Sequence, residues 1–190
     1  MDYSGAIQLA AHDAGIDPAI ALGVARRESG IAHYRKDRRW PAGTRFTASG
    51  VAIGTAGEIG IFQIKPGTAP GVNLEDPSQN IHAGVFELAR LYRRFREWPL
   101  AVAAYNFGEG NVSQALAGRI AVPAQVSDYV AAVLGPGQLA LSPSGKLASL
   151  VGPQLAQAAH QTMHTAVQQN PEIVIAGVLV GAALLFLSRK

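Results

Sequence analysis

A mainly α-helical fold, with one small β-hairpin or loop and a C-terminal transmembrane helix, is predicted by three observations. Apolar residues recur at helical spacing, with recognisable caps, along most of residues 1–135. Residues 31–57 alone lack that period and hold four glycines and a proline. A run of fifteen residues from Ile173 to Leu187 carries no polar side chain.

In chain order, Ile7, Ala10, Ala11 and Ala14 mark a first helix. Asp17-Pro18 caps a second, whose face of Ile20, Ala21 and Val24 runs up to Gly30. Residues 31–57, with the basic cluster Arg35-Lys36-Asp37-Arg38-Arg39, read as loop or short hairpin. Asp76-Pro77 opens a long helix with a buried stripe of Ile81, Val85, Leu88, Leu91 or Tyr92, and Phe95. Its opposite face holds Arg90, Arg93, Arg94 and Arg96, read as solvated. Trp98-Pro99 starts a short apolar helix that Gly108 ends, and further helices are expected over 111–117 and 123–134. Gly135-Pro136-Gly137 marks the end of this domain, residues 1–135.

Residues 136–170 are rich in Gln, Ser, Ala, Gly and Pro and read as a tether with one short helix over 154–169. Residues 171–190 form the expected anchor. Asn170 is its N-cap, Pro171 its first position, and Glu172 complements the positive end of the helix dipole. Fifteen residues at 1.5 Å each span about 22 Å, short of the ~30 Å hydrocarbon core, a mismatch that snorkelling of Arg189 and Lys190 offsets. Gly177 and Gly181 form a small-xxx-small pair suited to association of two such helices. Residues 1–14 show no basic, uninterrupted leader, so the lipid contact is expected at residues 173–187. The two terminal cations put the main domain outside the cytoplasm, in the periplasm or cell wall.

Composition removes several function classes. The absence of cysteine excludes disulfides, thiol nucleophiles and cysteine zinc sites. The net charge of +3 is mild, and the arginine face lacks interleaved aromatics, so no nucleic-acid partner is expected. His160 and His164 have metal-ligand spacing but no third ligand, so no metal site is expected.

Three blocks carry chemistry. In Glu28-Ser29-Gly30, a glutamate at the end of an apolar helix is placed for partial burial, which keeps a carboxyl protonated as a general acid requires. In Gly57 to Ala69, Gln63 is a lone amide among apolar residues that include Phe62, suited to a sugar hydroxyl or acetamido group. In Ala104 to Gly110, Tyr105 and Asn106 end an apolar helix at a glycine-rich turn, where a tyrosine hydroxyl can orient a catalytic carboxylate.

In this order the blocks resemble the lytic transglycosylases, relatives of goose-type lysozyme that cleave peptidoglycan. The family pattern is E-S-G, then G-x-x-G-L-M-Q-x-x-P-x-T-A, then A-Y-N-x-G-x-G. The likeness spans about residues 5–134 and includes Asp76-Pro77, Asn80-Ile81 and Gly84. It implies a lysozyme-like α-helical domain with Glu28 as catalytic acid/base. Gln63, Phe62, Ser29 and Asn106 would be substrate contacts, and Tyr105 the tyrosine beside the glutamate. It further implies cleavage between MurNAc and GlcNAc with a 1,6-anhydro product and no cofactor, the substrate-assisted exception to the two-carboxylate rule. The setting this suits is a membrane-anchored enzyme, of a phage virion at genome entry or of an envelope-spanning machine.

The departures from the pattern are Phe62 for Met, Gly54 for a common serine, Glu109 for a common proline, and Glu58 for a small residue. Glu58 is thereby a candidate second carboxylate, which would favour lysozyme-type hydrolysis by water. A glycan-binding module without activity is the alternative from another class. The long 31–57 insertion is expected to flank the glycan groove, with basic groups facing muramyl-peptide carboxylates.

Overall fold

The computed structural model describes residues 2–135, and the expected tether, the anchor with Gly177 and Gly181, and His160/His164 lie outside them. Among the described residues no helix is long and apolar enough to cross a membrane. The chain forms α1 (Ser4–Asp13), α2 (Pro18–Ser29), a two-stranded antiparallel hairpin of β1 (Arg45–Phe46) and β2 (Ala52–Ile53), then α3 (Pro77–Phe95), α4 (Trp98–Phe107), α5 (Glu109–Leu116) and α6 (Ala124–Leu134).

Local chemistry sets the helix starts. The Asp17 carboxylate accepts the Ala19 N–H at 2.8 Å, and the Asp76 carboxylate accepts the Gln79 N–H at 2.8 Å. In each case proline fills the first helical position, where no N–H is needed. α5 begins at Glu109, two residues before the expected Asn111, because Gly108 both ends α4 and leads directly into α5. The hairpin falls inside residues 31–57, as expected for an aperiodic, glycine-rich stretch.

Two apolar clusters share the interior. One joins Ile7 of α1, Val24 of α2, Ile81 and Leu88 of α3, and Ile61, Phe62 and Ile64 of the segment after the hairpin. The other joins Ile20 of α2, Leu91 of α3, Leu100 to Ala104 of α4, Val112 of α5 and Val126, Tyr129 and Val130 of α6. Trp98, Tyr105 and Val133 pack against both, so α2 and α4 stand between them. The stripe on α3 is confirmed, with Leu91 rather than Tyr92 buried and Phe95 only half-buried. Its arginine face is not purely solvated. Arg90 donates to Glu87 and Glu109, both at 2.7 Å, and Arg94 donates to Ser113 at 3.4 Å, tying α3 to α5.

The segment between hairpin and α3 is held by three buried groups. Asn80 accepts the Phe62 N–H at 3.0 Å and donates to the Ile59 and Leu74 carbonyls at 2.8 and 3.1 Å. His33 is fully buried; its Nε2 bonds the Glu75 carbonyl at 2.9 Å while Nδ1 has no hydrogen-bond partner among the described residues. Burial holds its imidazole below the usual histidine range. Gly84 gives Phe62 its seat, because a Cβ there would lie 2.2 Å from the Phe62 ring. Asp37 anchors the other side of the insertion. Burial opposes its charge, yet the Tyr34 and His33 N–H groups and the Tyr3 hydroxyl outweigh that and hold it below the usual carboxylate range.

Candidate active site

Glu28 stands one residue from the end of α2, at i+4 from Val24 and i+8 from Ile20, so it continues the helix's buried face. That register leaves the carboxylate half-buried at the edge of the core rather than in solvent. Tyr129, on α6 and 4% exposed, donates its hydroxyl to Glu28 Oε1 at 2.5 Å. One carboxylate oxygen is thus held, and the carboxylate borders the groove. Burial pushes the Glu28 carboxyl above the usual glutamate range, and the charge of Glu58 adds to this. The Tyr129 bond and Arg27 pull the other way without prevailing.

The segment after the hairpin forms the opposite wall. Gln63 adopts φ +46°, a left-handed conformation rare for a residue with a side chain, within a turn closed by its own N–H on the Gly60 carbonyl at 3.2 Å. Its Nε2 donates to the same carbonyl at 2.8 Å, which aims Oε1 away from that bond. Gly54 matters for a close approach. A Cβ there would lie 2.5 Å from both Gln63 Oε1 and Glu58 Oε2, so the two acceptor oxygens converge on the notch that glycine leaves. Glu58 also accepts the Ala56 N–H at 3.0 Å and faces Lys65 Nζ at 3.6 Å.

Tyr105 and Asn106 close the third side from the end of α4. Tyr105 lies near enough to Glu28 to feel its charge, and its hydroxyl donates to the Phe62 carbonyl at 2.8 Å, while Tyr129 makes the hydrogen bond to Glu28. Asn106 is exposed and lines the groove. Ser29 is 3% exposed, donates to the Ile61 carbonyl at 2.8 Å and accepts the Ala32 N–H at 3.1 Å, so it braces the wall from behind. Phe62 is fully buried on Gly84 and supplies only backbone groups at the site. Sequence reasoning missed Tyr129, because a tyrosine among Val126, Val130 and Val133 has the pattern of an ordinary core residue.

Glu28, Glu58, Gln63, Tyr105, Asn106 and Glu109 therefore line one groove of about 590 Å³, within the ~300–1,000 Å³ typical of small-molecule sites. Among the described residues no group of three or more His, Asp or Glu is placed to hold a metal ion. The groove thus offers one carboxyl held above its usual range, one amide oxygen and several hydroxyl or amide partners. That set suits acid catalysis on a polar oligomer. Glu109, where the family commonly has proline, is occupied by Arg90 at 2.7 Å and adds a structural tie at the groove's rim.

The model of the Transglycosylase SLT domain matches residues 5–125, which hold nearly all of α1, the whole of α2 to α5, the hairpin and every residue lining the groove. Tyr129 lies just beyond that match, on the helix that completes the site. With about two thirds of its length covered, the chain belongs to the transglycosylase SLT family, whose members are lytic transglycosylases acting on peptidoglycan.

Proposed function

We propose that Glu28 carries both proton transfers of a lytic transglycosylase reaction between MurNAc and GlcNAc. Glu28 gives its proton to the glycosidic oxygen, and the bond from MurNAc C1 to that oxygen breaks. The substrate's N-acetyl group supports the oxocarbenium-like C1. The carboxylate then takes the proton of the MurNAc C6 hydroxyl as O6 closes on C1, giving the 1,6-anhydro product and restoring protonated Glu28. No water enters and no second carboxylate is needed. The single observation that carries this reading is a half-buried Glu28, its carboxyl raised above the usual range by burial, whose Oε1 is held by Tyr129 while the carboxylate borders the groove. Gln63 and Asn106 are the proposed saccharide contacts, with Tyr105 setting the position of the Gln63 turn through the Phe62 carbonyl.

Glu58 favours a second reading, hydrolysis by a water that it polarises. Against that reading, its carboxylate faces Lys65 and takes the Ala56 N–H, which ties it to its own turn. Mass spectrometry of a muropeptide digest separates the two. Anhydro-MurNAc ends are expected, and reducing MurNAc ends in their place would establish a lysozyme. A digest with neither end would leave the non-catalytic glycan-binding module.

For the setting, we propose an enzyme held in a bilayer through residues 173–187 that opens the wall locally, for phage genome entry or for an envelope-spanning machine. The uninterrupted apolar run with its basic end supports this. Deleting residues 171–190 should move the protein from the membrane fraction to the soluble fraction. Recovery of the intact chain in purified virions would identify the phage setting.

A further inference from the structure

Two departures from the family pattern, Gly54 for serine and Glu58 for a small residue, meet at one point of the groove. A Cβ on Gly54 would lie 2.5 Å from Gln63 Oε1 and 2.5 Å from Glu58 Oε2, so those oxygens stand no more than twice that distance apart. Both are held in place. Gln63 Nε2 donates to the Gly60 carbonyl at 2.8 Å, which fixes the amide with its oxygen toward the notch. Glu58 Oε2 accepts the Ala56 N–H at 3.0 Å. Gln63 Oε1 accepts no hydrogen bond among the described residues and keeps contact with solvent. Lys65 Nζ sits 3.6 Å from the other Glu58 oxygen, beyond hydrogen-bond length, on a side chain 61% exposed. The two side-chain groups that meet at the notch are therefore both acceptors.

The groove around them is acidic. Glu28, Glu58, Glu87 and Glu109 line it against Lys65 and Arg90. Arg90 is committed to Glu87 and Glu109, both at 2.7 Å, and Lys65 faces Glu58. An excess of carboxylates raises the local concentration of cations and lowers that of anions. Such a field disfavours the carboxylates of a muramyl strand and favours any ammonium group the strand carries. A primary ammonium has three donors and no acceptor, which matches two acceptor oxygens of which one is charged. The acetamido group of an N-acetylated sugar has a single N–H, and it brings a carbonyl oxygen that neither notch oxygen can satisfy.

Resting on the reading of the groove as a peptidoglycan site, we propose that the Gly54 notch is a subsite for the primary ammonium of a de-N-acetylated glucosamine beside the muramyl residue being cut. Glu58 Oε2 and Gln63 Oε1 each accept one of its N–H bonds. The amine belongs to the glucosamine, because the muramyl acetyl group is needed to support C1. A stem-peptide side chain is the other source of an ammonium on such a strand. The notch favours the sugar, since it opens on the same groove as Glu28 and the Glu58 charge is near enough to act on that carboxyl. The chain would thereby cut wall whose glucosamines have lost their acetyl groups in preference to fully acetylated wall. Glu58 and Gln63 are then specificity residues.

The test uses the full chain carrying E28Q, which holds substrate without cutting it, and peptide-free muramyl tetrasaccharides that differ only at the glucosamine C2. One carries the acetamido group, one the free amine and one a hydroxyl. A fourth ligand is fully N-acetylated and bears stem peptides with a free side-chain amine. Calorimetry should show the free-amine sugar binding about tenfold more tightly than the acetamido and hydroxyl sugars, the gain of one charge-assisted hydrogen bond. The peptide ligand should gain nothing that depends on Glu58. Adding E58Q, which keeps the shape and removes the charge, should bring the amine-to-hydroxyl ratio close to one. Adding G54A should do the same by filling the notch. The fold tolerates that methyl group, because Gly54 has no positive φ and the two oxygens it meets end flexible side chains. Equal affinity for the amine and hydroxyl sugars, a ratio unmoved by E58Q or by G54A, or a Glu58-dependent gain found only with the peptide amine would overturn the proposal. Digests of fully acetylated and partly de-N-acetylated cell walls with the unaltered chain keep the two readings apart. Cleavage of both without preference removes the subsite alone, whereas an amine preference in binding with neither wall cleaved removes the enzyme reading and keeps the subsite.

Discussion

Glu28 meets two demands that oppose one another. To donate a proton near neutral pH it must be partly withdrawn from water, and to remain aimed at a substrate it must be held by a hydrogen bond that favours its charged form. Burial prevails, and the carboxyl stays above its usual range. Replacement by glutamine keeps the shape and removes the proton, so E28Q should lower the cleavage rate by about 10²–10⁴-fold in a turbidity assay on cell walls. The same substitution should stabilise the fold. A carboxyl raised in the folded state weakens folding as pH climbs from about 4.5 through its raised value. The excess melting temperature of E28Q over the parent should therefore grow across that window and then level off; an excess that shrinks would contradict the assignment. Tyr129 supplies the opposing term. Y129F removes a bond that favours the carboxylate, so the alkaline limb of kcat/KM should move to higher pH, with about a tenfold loss of rate for ~1.4 kcal/mol of lost orientation. The glutamate was legible from its place at the end of an apolar helix. Its tyrosine was not, because the partner lies 101 positions away and is written as core.

At the scale of elements, the wall opposite Glu28 is an irregular segment made rigid by α3. Asn80 satisfies three backbone groups of that segment, and each would be left unpaired in a buried place without it. N80A should cost about 3 kcal/mol or more in denaturant unfolding, with amide exchange quickening over residues 59–64 first. G84A acts on the same wall by volume. A methyl group 2.2 Å from the Phe62 ring forces that side chain or α3 to shift, at about 1–3 kcal/mol, and displaces the Gln63 turn along with it. Most elements were readable from local chemistry, since Asp17-Pro18 and Asp76-Pro77 state where helices begin and periodicity states which face is buried. Phe62 and Ser29 are motif residues whose side chains the fold turns inward. Motif residues cluster around a site, but only part of a cluster touches ligand, and the remainder holds the wall from behind.

For the whole molecule, the arrangement of the two apolar clusters sets how the domain unfolds. Because α2 feeds both clusters and Trp98 packs against each, neither has a boundary along which to come apart. Of the two tryptophans, Trp98 reports on this interior and Trp40 on the hairpin. In W40F, the fluorescence transition of Trp98 and the far-ultraviolet circular dichroism transition should coincide in urea; separate midpoints would indicate two units.

The sequence by itself determined the helical class, the starts of α2 and α3, the hairpin's place and the three blocks that contain Glu28, Gln63 and Tyr105. These depend on caps, periodicity and glycine positions, which act over a few residues and can be read one window at a time. Only the tertiary structure decided which tyrosine holds Glu28, and that Gly54 leaves a notch where Gln63 and Glu58 converge. Those outcomes depend on α6 returning to α2 and on the insertion folding beside α2's last turn. Packing brings such groups together across many tens of residues, and local spacing carries no record of it.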